Sequence, residues 1–102
     1  MGKSENVPCS LEMFGHTYVV EYRDGMPEDT TIGLCNPADT VISINKNIAP
    51  SMQEVTLLHE IVEAVSIMNE LNLPHPHITC LATNLYHILK ENNLYFPSEE
   101  KD

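Results

Sequence analysis

Basic residues are scarce in this chain of 102 residues, which has five lysines and arginines against fifteen acidic residues and a formal net charge of -10. Binding to duplex nucleic acid begins with Lys and Arg side chains that neutralise phosphates, so the charge balance argues against nucleic acid as a partner. The sequence also lacks an apolar run of bilayer length, and the first 13 residues contain no signal-peptide core. We therefore expect no membrane association and a cytoplasmic location.

Cysteine and glycine are also few, and their spacing excludes two common kinds of site. Cys9, Cys35 and Cys80 are far apart and include no CxxC pair. This pattern argues against a disulfide framework or a cysteine-bound zinc ion, and it favours reduced thiols in a cytoplasm. The four glycines form no phosphate-binding loop. The hydrophobic fraction of 42% is sufficient for the core of one globular domain over 1–102.

Hydrophobic patterning predicts a small α+β domain with three short strands followed by two helices. β-branched and aromatic residues predict strands at 16–22, 30–35 and 40–45. The last two runs flank the turn sequence NPAD, so we expect them to form a hairpin. Residues 1–13 are expected to be loosely structured, and 93–102 is a tail of uncertain order. The ordered core is therefore expected within about 14–92.

Two helices are predicted after the strands. The first starts with Ser51 and Glu54, which match the S-x-x-E capping box, and its apolar periodicity continues to Leu71. The sequence NLPHP ends this helix, because the residue before a proline avoids the α region. The second helix is predicted from about Pro76 to Asn92. Its apolar residues are expected on one face: Ile78, Leu81, Ala82, Leu85, Ile88 and Leu89.

The segment TLLHEIVEAV (56–65) contains the residues with the clearest chemical pattern. His59 and Glu63 lie one helical turn apart on a narrow polar stripe, and side chains at i and i+4 can bind one metal ion. Glu60, at the edge of the stripe, could take a proton from a metal-bound water without being a ligand. An ordinary amphipathic helix is the alternative. Against it, the predicted helix contains no lysine or arginine to balance its carboxylates.

A catalytic zinc ion usually has three protein ligands and a water, so the motif requires a third ligand. His75, in the break between the helices, can return toward Glu63 and is the preferred candidate. A capping role for His75 beside Pro76 is the alternative. His77 is the second candidate for ligation, and His87 is expected at the surface because it points away from the apolar face of its helix.

The segment VISINKNIAPSMQEVTLLHEIVEAV (41–65) is similar to the strand-then-helix core of small zincin-like proteins, among them the SprT and ImmA/IrrE metallopeptidase families. The chain resembles short phage-encoded metallopeptidase-like proteins more closely, in TLLHEIVEAV, in LNLPHPHI and in the spacing of Leu81, Leu85 and Leu89. The resemblance covers about residues 31–92. It implies a minimal zincin-like domain, and a phage origin would place the protein in the host cytoplasm.

The resemblance also implies roles for individual residues. His59 corresponds to a zinc ligand and Glu60 to the general base and acid, while Glu63 replaces the second ligating histidine and His75 occupies the histidine position of the phage group. The implied reaction is hydrolysis of a peptide bond in a peptide or protein substrate by a zinc-activated water. A carboxylate at 63 makes the metal a weaker Lewis acid than a histidine would. Tyr86 is a candidate for oxyanion stabilisation, with core packing as its alternative.

Two functions without catalysis compete with this prediction. The first is a phage-type accessory protein with a relic or structural metal site, which would bind a host protein. The small size of the chain favours this alternative, because few residues remain to build a substrate groove. The second is an acidic mimic of nucleic acid. The acidic residues are scattered, with Glu28-Asp29 and Glu99-Glu100 as the only adjacent pairs, so this alternative is less favoured.

Overall fold

The structure, a computed structural model, describes residues 7–24 and 33–94. These residues form a small α+β domain, which confirms the predicted fold class with one strand more than expected. The elements in chain order are β1 (Ser10–Met13), β2 (His16–Arg23), β3 (Gly33–Asn36), β4 (Val41–Asn45), α1 (Pro50–Met68) and α2 (His75–Glu91). Residues 30–32 of the second predicted strand, both adjacent acidic pairs and residues 95–102 lie outside the described part of the chain.

β1 is the strand that was not predicted, so the expectation of loose structure over 1–13 was wrong for Ser10–Met13. A two-residue turn joins β1 to β2, and its residues Phe14 (φ 55°) and Gly15 (φ 80°) both have left-handed backbone conformations. Two such residues give the turn a twist that matches an antiparallel strand pair. A phenylalanine is unusual there, because a bulky side chain disfavours positive φ. The turn therefore has no typical sequence signal.

The sheet has the strand order β1-β2-β4-β3. β1 pairs with β2 and β3 pairs with β4 in antiparallel fashion, which confirms the predicted hairpin between the second and third predicted strands. The central pair, β2 and β4, is parallel. β3 therefore lies at one edge of the described sheet. Its residues Gly33 and Cys35 are paired with Ile44 and Ile42 of β4.

The core contains side chains from one face of the sheet and from both helices. Its buried members are Val7, Tyr18, Val20, Ile42, Ile44, Leu57, Leu58, Ala82 and Tyr86. In β2 and β4 the core residues are two positions apart, as expected for strands whose successive side chains point to opposite faces. α1 contacts β3 and β4. The helix that carries the metal-binding pattern therefore lies against the β3 side of the sheet.

The predicted capping box at the start of α1 was wrong. The residue that caps the helix is Ala49, no side chain caps it, and Pro50 follows in the first turn. Proline suits this position because it lacks the amide hydrogen that would need a partner. Glu54 is buried and instead accepts hydrogen bonds from the Tyr86 hydroxyl at 2.6 Å and from the Lys90 ammonium at 3.3 Å. These contacts connect the start of α1 to the end of α2.

Replacement of Tyr86 with Phe is expected to lower the free energy of unfolding by about 1–3 kcal/mol, because the buried Glu54 carboxylate loses a short hydrogen bond of 2.6 Å. Urea unfolding measures this change. Tyr22→Phe is the matched control, since the Tyr22 hydroxyl donates a longer bond of 3.4 Å to the Pro8 carbonyl in a partly buried place. Equal losses in the two variants would show that the Tyr86–Glu54 hydrogen bond contributes no more to the free energy of unfolding than the Tyr22–Pro8 hydrogen bond does.

The second helix was predicted close to its observed bounds, but the arrangement of its apolar residues differs from the prediction. Ile78 and Ala82 are buried, together with Tyr86. Leu81, Leu85 and Ile88, which were expected on the same face, are exposed. Tyr86 occupies the core position that Leu85 was predicted to fill. Because the helix buries the Tyr86 side, Leu81, Leu85 and Ile88 face solvent.

Candidate metal centre

His59, Glu60 and Glu63 come together along one side of α1. Each offers one ligand atom, and these three atoms lie within 4.8 Å of one another. The arrangement follows from the helix itself, because residues at i, i+1 and i+4 can direct long side chains to one point beside the axis. The predicted pairing of His59 with Glu63 is therefore present, and the general base predicted at its edge lies inside the same group.

Glu60 is the most buried member of this group, with 3% of its surface exposed. Within the described part of the chain, its Oε1 atom has no hydrogen-bond partner. Burial raises the pKa of Glu60 to about 8, and the charge of Glu63 and a hydrogen bond to Glu63 add to the effect. Without a metal, the Glu60 carboxyl is therefore protonated at neutral pH and donates to Glu63. The unpartnered oxygen is an unfavourable feature that a bound cation or its water would relieve.

Gly33 brings the backbone of β3 against this part of α1. A Cβ atom at Gly33 would lie 2.5 Å from Cγ2 of Thr56 and 2.9 Å from Oε2 of Glu60, closer than real contacts allow. Only glycine permits this approach, which buries the Glu60 side chain between strand and helix. The contribution of Gly33 was not recognised in the sequence. Its signal is a lone glycine within a strand pattern, which indicates close backbone approach.

His59 and His75 lie side by side across the gap between the two helices, with ring centroids 4.9 Å apart and planes tilted by 53°. His59 is half-buried. Burial lowers its pKa, the neighbouring His75 lowers it further, and the charge of Glu63 acts in the opposite direction. The neutral imidazole, which is the form that binds metal, is therefore favoured at His59.

His75 thus lies beside the site, as predicted, although it does not belong to the tightest group of three ligand atoms. It is the first residue of α2, and no side chain caps the helix at this end, so the alternative capping role is absent. His77 is exposed and is not part of the described group of ligand atoms. His87 is exposed on α2, as predicted, with its ring 5.8 Å from that of Tyr86.

The loop between the helices positions His75. Ser66 of α1 is buried, and its hydroxyl accepts a hydrogen bond of 2.9 Å from the backbone amide of Leu73. Glu70 and Asn72 have positive φ angles of 52° and 53°, which reverse the direction of the chain over a few residues. The tight return of the chain places the start of α2 beside His59.

Cys35 lies on the same face of β3 as Gly33, because residues two apart in a strand share a face. Burial raises the pKa of this thiol to about 12, and the charges of Glu60 and Glu63 contribute to the increase. Cys35 is therefore a neutral thiol at physiological pH.

The donors in this region suit a divalent metal. Two imidazoles and one carboxylate, from His59, His75 and Glu63, form a ligand set found in zinc hydrolases. Glu60 is close enough to act on a water at the metal or to bind the metal itself. The buried unpartnered oxygen of Glu60 fits either role.

No family model matches the chain, and comparison with curated proteins and with solved structures also finds no match. The resemblance to zincin-like metallopeptidases, with the residue roles it implies, therefore stays a prediction from the motifs. Among the described residues, neither helix has the length and hydropathy that crossing a membrane would require.

Proposed function

We propose that this protein is a zinc-dependent peptidase. His59, Glu63 and His75 hold the zinc ion, and Glu60 is the general base. The observation that supports this proposal most directly is the Oε1 atom of Glu60, which is buried inside a group of metal-binding side chains and has no hydrogen-bond partner among the described residues. A buried carboxylate oxygen of this kind needs a cation or a donor, and a zinc site supplies one.

The side chains divide the chemistry between them. A zinc ion lowers the pKa of water and polarises the carbonyl that is attacked. Glu60 takes the proton from the attacking water and later delivers it to the leaving amine. In the metal-free protein the pKa of Glu60 is raised to about 8. With zinc held by the neighbouring ligands, Glu60 would be a carboxylate able to accept this proton at neutral pH.

The position of β3 supports a peptide as the substrate. β3 lies at the edge of the described sheet, and its first residue, Gly33, contacts Glu60. An edge strand has backbone groups free to pair with an extended peptide, which gains affinity from main-chain hydrogen bonds. A peptide paired with β3 would place its backbone beside the general base.

The metal content of the purified protein tests the proposal. We expect about one zinc per chain by mass spectrometry, and its loss in His59→Ala and in Glu63→Ala. His75→Ala should likewise lose its zinc, whereas His77→Ala, two residues further along α2, should bind zinc as the wild type does. Wild-type protein that takes up no zinc when zinc is supplied would contradict the proposal.

A second function is favoured by one specific observation. The tightest group of ligand atoms contains Glu60 and omits His75. If Glu60 is itself a ligand, no general base remains, and the metal is structural. The protein would then be a non-catalytic accessory factor that binds another protein, such as one of a phage host. A metal site of this kind would lose its zinc when Glu60 is replaced.

A further inference from the structure

Three apolar side chains of α2 face solvent along one side of the helix. Leu81, Leu85 and Ile88 are 47%, 42% and 54% exposed. Their spacing of four and three residues is the spacing with which helices pack side by side. At 100° per residue, the centre of this stripe is rotated by roughly 70° from the buried residues Ile78 and Ala82. Packing within the described part of one chain therefore leaves the stripe uncovered.

The charge distribution along the chain indicates what covers the stripe. The chain has fifteen acidic residues, but none occurs between Glu70 and Glu91, a span that includes almost the whole of α2. Two copies with a net charge of -10 each repel one another through most of their surfaces, whereas α2 has Glu91 at its end as its one acidic residue and allows a closer approach. A basic partner would be attracted to the acidic surfaces instead. The neutral apolar stripe thus fits a second copy of this chain better than a basic protein.

We propose that α2 is a homodimer interface in which two copies of the helix pack antiparallel around a two-fold axis near Leu85. A two-fold axis requires a surface that complements itself. The surface around Leu85 complements itself in this way. Leu81 of each copy faces Ile88 of the other copy. The two Leu85 side chains meet near the axis.

The ends of α2 also favour the antiparallel arrangement. The first turn of the helix contains no acidic residue, so the partial positive charge at its N-terminus has no carboxylate beside it. Glu91 is the last residue of α2. In an antiparallel pair, Glu91 of one copy comes close to the N-terminal end of the other helix. A parallel pair would place the two Glu91 side chains together.

The size of the stripe sets the expected strength of the dimer. α2 has 17 residues and is about 26 Å long at 1.5 Å per residue. One helix pair of this length covers less than the roughly 800 Å² per partner of a standard specific interface. We therefore expect a reversible dimer with a Kd in the micromolar range. The dimer does not depend on the metal site, so its formation and zinc binding can be tested separately.

Sedimentation velocity of the full chain, from about 1 to about 500 µM, tests this proposal. The wild type should pass from monomer to dimer over this range. Leu85→Glu and Leu85→Lys should each weaken dimerisation by at least about tenfold, because like charges then meet at the axis. A mixture of the two variants should associate again, since Glu now faces Lys.

Ile67→Glu is the matched control, because Ile67 is 49% exposed on α1 and lies outside the stripe. It adds the same charge and should dimerise as the wild type does. Circular dichroism of each variant confirms that the helices are intact. A wild type that stays monomeric at the highest concentration would overturn the proposal, as would a Leu85→Glu variant that dimerises normally or a mixture that does not associate.

Discussion

Glu60→Gln is expected to lower the rate of peptide hydrolysis by about 10²- to 10⁴-fold while zinc stays bound. Glutamine has nearly the same size as glutamate and can still donate a hydrogen bond to Glu63, but it cannot take a proton from water. The site geometry should therefore survive, and only the proton transfer is lost. The measurement is kcat/KM on a fluorogenic peptide mixture, with the zinc content determined in the same preparation.

Glu70→Gln is the matched control for this variant. Glu70 is an exposed acid just beyond the end of α1, so its replacement changes the net charge equally without touching the site. Three outcomes are distinct. Loss of hydrolysis with retained zinc supports Glu60 as the general base. Loss of zinc supports the structural site in which Glu60 is a ligand, and unchanged hydrolysis would contradict any catalytic role for Glu60.

The zinc-free protein is expected to become less stable as the pH rises from about 5 to about 8. The pKa of Glu60 is about 8 in the folded protein against 4.5 for an unperturbed glutamate. Between these values the folded state holds a proton that the unfolded state has released. The stability from this group is therefore fully present below about pH 4.5, and it is lost progressively until the pH passes the raised pKa of the folded state.

The change of stability with pH that comes from His59 has the opposite sign to that from Glu60, so the two contributions have to be measured separately. The pKa of His59 is lowered in the folded protein, so its contribution increases stability as the pH rises through the region near 6.5. Urea unfolding in the presence of a chelator, at several pH values between 5 and 8, gives the sum of the two effects. The same series on Glu60→Gln isolates the carboxyl, because this variant should lose the downward slope and keep the rise from His59.

In the presence of zinc, stability should increase rather than decrease as the pH rises from about 5 to about 8, since a cation at the site replaces the proton that Glu60 holds. Zinc affinity is therefore expected to increase with pH up to about 8. If the wild type and Glu60→Gln showed the same pH dependence in the chelator, the shared proton between Glu60 and Glu63 would be excluded.

The positions of His59, Glu63 and His75 could be predicted because each depends on local geometry. A helix fixes the direction of residues at i and i+4, and a short loop ending at a proline limits how far His75 can lie from the end of α1. The α+β class followed in the same way from the change between strand and helix periodicity. These features involve interactions over only a few residues.

The features that could not be predicted depend on contacts between distant parts of the chain. Glu54 satisfies a local capping pattern, but it is bound instead by Tyr86, which is 32 residues away. The burial of Glu60 depends on the approach of Gly33 from another element. In α2, the choice of Tyr86 rather than Leu85 for the core depends on the same long-range contact with Glu54. Local patterns do not contain this information.

The parallel pairing of β2 with β4 has a consequence for how the domain is assembled. The sheet consists of two hairpins, each formed by strands that are neighbours in sequence, and they meet only along this central pair. Every residue of the candidate metal centre follows the first hairpin in the chain and belongs to one continuous stretch, residues 33–75. The β1–β2 hairpin contributes the core side chains Tyr18 and Val20 to the domain. The domain therefore has a supporting half and a half that carries the candidate site, and the two are joined by the β2–β4 backbone hydrogen bonds and by a shared core.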